Sequence, residues 1–169
     1  IVIEWSPALH GAVAAARRGE RTTMYLFDER TQTLLGRAKG LGIDLEGQVD
    51  AGLIEIQQVD PAELTPGQFS HSLLRAVSER GVRLVILDSL SGYMHSMLDE
   101  RSLTLLLHEL LSYLSQQGVS VLMVMAQHGL PGMPLHAHFD LSYIADSVLL
   151  FHTFEHAGEL RRAISVYKR

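Results

Sequence analysis

The sequence predicts one α/β domain with a mostly parallel sheet, helices on both faces of that sheet and a β-hairpin at the C-terminal end. Three observations lead to this prediction. Strand-like runs alternate with helix-like stretches, several helix-like stretches end at a glycine just before the next strand, and 169 residues are enough for one domain with a sizeable core. The sequence has no internal repeat and no change of composition, so we expect residues 1–169 to form a single domain.

Six runs of apolar and β-branched residues predict strands, at residues 22–27, 53–57, 83–87, 119–125, 147–153 and 159–167. The third and fourth runs are apolar at nearly every position, as strands must be when helices cover both faces of their sheet. The second run alternates apolar and polar residues, which is typical of a half-buried or edge strand. The last two runs are joined by residues 154–158 and predict a hairpin.

Four helix-like stretches lie between the strand-like runs, at residues 8–18, 31–39, 66–79 and 99–117. Each is followed at once or within two residues by a glycine, namely Gly19, Gly40, Gly81 or Gly118. Glycine favours the left-handed backbone that often ends a helix. The last stretch repeats leucine at steps of three and four residues, which predicts a buried helical stripe.

Composition and charge exclude several classes of protein. The chain has 14 Lys and Arg against 19 Asp and Glu, a formal net charge of −5, which disfavours non-specific binding to nucleic acid or to an anionic membrane. It has no cysteine, so disulfides, thiol catalysis and cysteine zinc sites are excluded. No apolar run approaches the roughly 18 residues that span a bilayer. The apolar start lacks the features of a signal peptide, and we expect a cytoplasmic protein.

Carboxylates follow two of the predicted strands. Asp28 and Glu29 come after the first strand, and Asp88 followed by Ser89 comes after the third. Ligands of parallel sheets bind beyond the carboxyl ends of the strands. An apolar run ending in Asp-Ser has the shape of a Walker-B motif, in which the acid holds Mg²⁺ directly or through water, and Glu29 would then polarise a water for attack on a terminal phosphate. The simpler alternative is that these acids cap the turns that follow.

Several segments, taken in order, resemble the KaiC-type branch of the RecA-fold ATPases. They are residues 15–20, 25–29, 41–44, 85–91, 145–150 and 158–168. The resemblance extends from about Ala8 to the last residue. No single motif is decisive. The resemblance is specific because all of these segments occur in the same order as in the family.

This resemblance implies a RecA-like P-loop NTPase core that binds ATP and Mg²⁺ between the subunits of a homo-oligomeric ring, a hexamer in the family. It implies that Glu29, helped by Asp28, orients the attacking water. Asp88 would hold Mg²⁺, with Ser89 beside it at the cofactor, and Lys168 would contact the nucleotide of the next subunit. The expected activity is slow ATP hydrolysis in a regulatory or signalling role, with protein partners in signalling.

The most specific element of that family, the phosphate-binding loop G-x-x-x-x-G-K-[ST], is missing from the sequence. Its place lies between Pro7 and Ala8, whereas the two lysines of the chain are Lys39 and Lys168. Hydrolysis depends on this loop because its N–H groups and lysine cradle the phosphates. Two explanations stay open. One is that a segment between Pro7 and Ala8 is left out of the numbered sequence. The other is that the loop is truly deleted, which leaves a non-catalytic pseudo-ATPase that serves as an assembly module.

Other functions have less support in the residues. A DNA-strand-exchange protein of the same fold needs basic or aromatic loops, but residues 89–102 contain one basic residue and residues 127–141 contain no Lys or Arg. Zinc binding would need three or four converging ligands, so we expect His128, His136 and His138 to be solvated loop residues. The sequence has no G-x-S-x-G motif, which disfavours a serine hydrolase.

One alternative activity concerns adjacent hydroxyl residues near the penultimate strand. Some KaiC-type domains phosphorylate themselves there, and Ser142 and Tyr143 fall at the similar place in this sequence. The tyrosine departs from the usual threonine. Serine/threonine autokinase activity therefore stays an alternative to a turn-forming serine and a buried tyrosine ring.

Overall fold

The strands that the structure describes form a parallel four-stranded sheet and a separate antiparallel hairpin. The computed structural model describes residues 5–60, 63–91, 100–125 and 144–168. Within them the elements are, in chain order, α1 (Trp5–Arg17), β1 (Arg21–Leu26), α2 (Thr31–Gly40), α3 (Leu45–Asp50), β2 (Ile54–Gln58), α4 (Pro66–Arg80), β3 (Val82–Asp88), α5 (Glu100–Gln116), β4 (Ser120–Met123), β5 (Val148–His156) and β6 (Glu159–Lys168).

The sheet has the strand order β2–β1–β3–β4, and every neighbouring pair is parallel. The prediction of a parallel α/β sheet is therefore confirmed. Leu26 at the end of β1 lies opposite Asp88 at the end of β3, so the two strands finish side by side. The alternating run 53–57 becomes β2 at one edge of the sheet, as its pattern predicts.

Two apolar clusters lie on opposite faces of the sheet because successive strand residues point to opposite sides. Tyr25 and Leu87 belong to the cluster beneath α4 and α5. Met24 and Ile86 belong to the cluster beneath α1, α2 and α3. All four side chains are almost fully buried, which explains why these two strands are apolar at consecutive positions. On α5 the predicted stripe is confirmed by its buried leucines, Leu107, Leu110 and Leu114.

The helix α4 shows how local sequence sets an element's limits. Thr65 and Gln68 form a capping box, in which the Thr65 hydroxyl accepts from the Gln68 backbone and the Gln68 side chain accepts from the Thr65 backbone. Pro66 follows at the first helical position, where its missing N–H costs nothing. The helix ends at Gly81, whose φ of 67° lies in the left-handed region.

The structure departs from the predicted elements in several places. The helix α1 begins at Trp5 rather than at residue 8 and continues through Pro7, which a first helical turn tolerates. The six-residue helix α3 was not predicted. The predicted five-residue hairpin connection is a two-residue turn of Ala157 and Gly158, with φ of 54° and 77°. Positive φ at both positions matches the right-handed twist of paired strands.

The antiparallel pairing of β5 with β6 confirms the predicted C-terminal hairpin, in which Val148 lies opposite Lys168. The fourth parallel strand, β4, is shorter than predicted, although Val124 still donates to the Leu87 carbonyl and accepts from Leu90. Among the helices of the described ranges, none has the length and hydropathy that crossing a membrane requires.

Candidate active site

Acidic residues meet at the carboxyl ends of β1 and β3. Asp28 and Glu29 follow β1, and Asp88 is the last residue of β3. The Phe27 backbone N–H donates to the Asp88 carbonyl at 2.8 Å, which joins the two strand ends directly. The structure therefore brings together the acids that the sequence predicts as site residues.

A short hydrogen bond connects the segments that follow the two strands. The buried Ser89 hydroxyl donates to Oδ2 of Asp28 at 2.6 Å. A charge-assisted bond of this length is among the stronger side-chain hydrogen bonds. It holds the Asp28 carboxylate against the end of β3, and the backbone beside it includes a cis peptide bond between Asp88 and Ser89.

Arg37 is a member of this site that the sequence did not predict. Its guanidinium forms an ion pair with Glu29, joining Nη2 to Oε2. The helix α2 begins two residues after Glu29, and helical side chains lean towards the N-terminus. A long basic side chain two turns into α2 therefore reaches back to the strand end. The separation of eight residues between Glu29 and Arg37 permits this contact but does not specify it.

Burial governs the protonation of two of the acids. The pKa of Asp88 is raised from 3.8 to about 6, mainly by burial and also by the neighbouring charges of Glu29 and Asp28, while the charge of Arg37 opposes the rise. Burial also raises the pKa of Glu29, against the charge and hydrogen bond of Arg37. Both acids therefore hold protons more readily than exposed carboxylates do, and Arg37 is the counter-charge that favours their ionised forms.

Asp88 should make stability fall as the pH rises through its folded-state pKa. The folded pKa of about 6 exceeds the unfolded 3.8, so the folded state binds more protons between these values. Stability from this group is fully present below the unfolded pKa and is lost above about pH 6, by at most about 3 kcal/mol. Urea unfolding in metal-free buffer should show wild type losing stability relative to Asp88→Asn between about pH 4 and 7. A difference that does not change with pH would contradict this prediction.

Lys168 is the last residue of β6 and belongs to the hairpin. The histidines and hydroxyl residues considered for metal binding or self-phosphorylation lie outside the described residues: His128, His136, His138, Ser142 and Tyr143. In the described ranges, no group of three or more His, Asp or Glu side chains has the arrangement of a metal site.

A parallel sheet covered by helices on both faces, with acids at neighbouring strand ends, places the chain in the class of RecA-like α/β domains. A model of the family described as "ATPase: KaiC" matches residues 8–169. The chain belongs to this KaiC ATPase family, which confirms the resemblance and the predicted fold class.

Two curated relatives come from Synechocystis sp. and Picosynechococcus sp.. The "Circadian clock protein KaiC3" of the first is 26% identical over 160 residues, which are 95% of this chain and 31% of the relative. The "Circadian clock oscillator protein KaiC" of the second is 24% identical over 152 residues, 90% of this chain and 29% of the relative. The chain thus spans less than a third of the curated relatives it matches.

Proposed function

We propose that this KaiC-family domain hydrolyses Mg-ATP slowly at an interface between subunits of a ring. The observation that carries the proposal is the meeting of Asp28, Glu29 and Asp88 at adjacent strand ends. Carboxylates at this edge of a parallel sheet face the region where nucleotides bind in such folds. We further propose that the domain has a regulatory role, which is supported by the names of the relatives as circadian clock proteins.

The residues at the strand ends fit a Mg²⁺ ion. Mg²⁺ prefers oxygen ligands and binds through one or two carboxylates while keeping several waters. Asp88 supplies such a carboxylate, and among the described residues its side chain forms no hydrogen bond or ion pair. When bound, Mg²⁺ neutralises charge on the phosphates. The sequence offers no glycine-lysine loop for the phosphates themselves.

In this proposal each residue of the site has one task. Glu29 accepts a hydrogen bond from the attacking water and orients it, while Arg37 favours the ionised carboxylate that this requires. Asp28 joins the segment after β1 to the segment after β3 through Ser89. Lys168, on the hairpin, would contact the nucleotide of a neighbouring subunit in a homo-oligomeric ring.

The missing phosphate loop favours a second candidate function. Without its N–H groups and lysine, the chain would keep the RecA-like surfaces but would not hold the triphosphate for reaction. The domain would then be a non-catalytic assembly module that forms oligomers or binds partners without turnover.

Mg-ATP turnover and assembly distinguish the two candidates. We expect the chain to release phosphate from Mg-ATP and to form a larger oligomer only with Mg-ATP, as measured by light scattering after gel filtration. Asp88→Asn should abolish both, whereas Asp50→Asn, an exposed acid at the end of α3, should change neither. Assembly that is indifferent to nucleotide, with no phosphate release from Mg-ATP, would favour the assembly module.

A further inference from the structure

The two acids after β1 are each held by a different partner, whereas no described residue holds Asp88 in this way. Asp28 accepts from Ser89, and Glu29 is paired with Arg37. Among the described residues, the Asp88 side chain has no such bond. The three carboxylates nevertheless lie close enough to interact electrostatically, because the charges of Asp28 and Glu29 both raise the pKa of Asp88. Within the described part of the chain, Asp28 and Glu29 are therefore restrained by side-chain partners and Asp88 is not.

The carboxylate of a glutamate beside a divalent cation can either coordinate the cation or accept a hydrogen bond from a nearby water. A carboxylate is a preferred ligand of Mg²⁺ and Mn²⁺, so an unrestrained side chain would join the coordination shell. Once coordinated, the carboxylate is held towards the cation and shares its charge with the metal, so it is a weaker and differently placed acceptor for a water that must attack elsewhere. A glutamate that orients water therefore needs a partner that competes with the metal for its carboxylate.

Arg37 has the properties of that partner. Its planar guanidinium binds carboxylates with defined geometry and stays charged at every physiological pH. The pair is partly shielded from water, since 19% of the Glu29 side chain and 34% of the Arg37 side chain are exposed. Arg37 lies on α2, so the pair holds Glu29 towards that helix.

We propose that Arg37 is a positioning residue that holds Glu29 on the α2 side of the site and out of the coordination shell of a divalent cation at Asp88. This inference rests on the proposed function, in which Asp88 binds the cation and Glu29 orients water. Arg37 itself touches neither the cation nor the water. Its ion pair determines whether the Glu29 carboxylate coordinates the cation or accepts a hydrogen bond from the water.

Mn²⁺ binding to the nucleotide-free chain tests this inference without any need for turnover. The titration is followed by electron paramagnetic resonance for wild type, Arg37→Ala, Glu29→Gln and the double variant. Release of Glu29 adds a carboxylate ligand, so we expect Arg37→Ala to tighten Mn²⁺ binding about tenfold. In the Glu29→Gln background the same substitution should change affinity less than about twofold, because no carboxylate is released.

A matched variant controls for the loss of a positive charge. Lys39→Ala removes one charge from the same last turn of α2 and should leave Mn²⁺ affinity within about twofold of wild type. If Arg37→Ala disturbs folding, as judged by circular dichroism, Arg37→Met keeps the aliphatic volume and carries the same expectation.

The outcomes separate the inference from the proposed function. Tightening that persists in the Glu29→Gln background would reduce Arg37 to a distant charge and overturn the inference. Unchanged affinity in Arg37→Ala, or no detectable Mn²⁺ binding in either wild type or Arg37→Ala, would also overturn it. Asp88→Asn tests the proposed function separately. If Mn²⁺ binding survives that substitution, the cation role of Asp88 is wrong whatever Arg37 does.

Discussion

Replacing Glu29 with glutamine is expected to lower Mg-ATP turnover by about 10²–10³-fold, within the range of general-base catalysis. Glutamine has the same size but cannot stay anionic, so it accepts a weaker hydrogen bond from the attacking water. Because Glu29 is proposed to act on the water rather than on the nucleotide, KM should change little. Steady-state phosphate release at saturating Mg-ATP measures the effect.

Glu46→Gln is the matched control for this substitution, because Glu46 is an exposed acid in the first turn of α3. It should keep wild-type turnover. Circular dichroism and thermal unfolding should show that Glu29→Gln is folded, since only a partly exposed ion pair with Arg37 is weakened. Wild-type kcat in Glu29→Gln would contradict the assigned role. A large rise in KM with unchanged kcat would instead indicate a residue that binds the nucleotide.

Replacing Phe69 with alanine is expected to destabilise the fold by about 3–5 kcal/mol. The ring is 1% exposed and lies between α4 and the sheet. It makes edge-to-face contacts with Tyr25 and Phe27, at centroid distances of 5.0 and 5.5 Å. Its removal leaves a cavity and ends both aromatic contacts. Urea unfolding should show a lower midpoint with a similar slope.

Tyr113→Ala is the aromatic control, because Tyr113 is on α5 and 41% exposed. We expect it to change the free energy of unfolding by less than about 1 kcal/mol. Phe69→Ala should also weaken Mn²⁺ binding in the folded fraction, since Phe27 precedes Asp28 directly in the chain. A loss of stability in Phe69→Ala as small as that in Tyr113→Ala would contradict the assignment of Phe69 to the core.

The sequence predicts those parts of the fold where burial restricts residue type. The strands β1 and β3 are apolar at successive positions because helices cover both their faces, and this pattern is visible without a structure. The acids could be placed together because parallel strands end at one edge of the sheet. The predicted roles of Asp28, Glu29, Asp88, Ser89 and Lys168 remain predictions.

Other features depend on contacts that the local sequence does not specify. The helix α3 has six residues, too few for an apolar periodicity to be distinguished from a turn. Arg37 has the residue type of any solvated helix surface, and its pairing with Glu29 follows from how α2 packs after the strand. In the hairpin, Ala157 adopts a positive φ that is uncommon for alanine, so the two-residue turn had no sequence cue beyond Gly158.

The hydrogen bond from Ser89 to Asp28 has a consequence for the order of folding, since it joins residues 61 positions apart. Parallel strands need crossover connections, and contacts of such high sequence separation form slowly because a long loop must close first. The hairpin of β5 and β6 pairs residues on either side of a two-residue turn, and contacts of this kind form within about microseconds. In a refolding chain, the three acids can therefore meet only after β1 and β3 have paired. Recovery of cation binding at the site should then follow the pairing of the parallel strands and not the earlier formation of the hairpin.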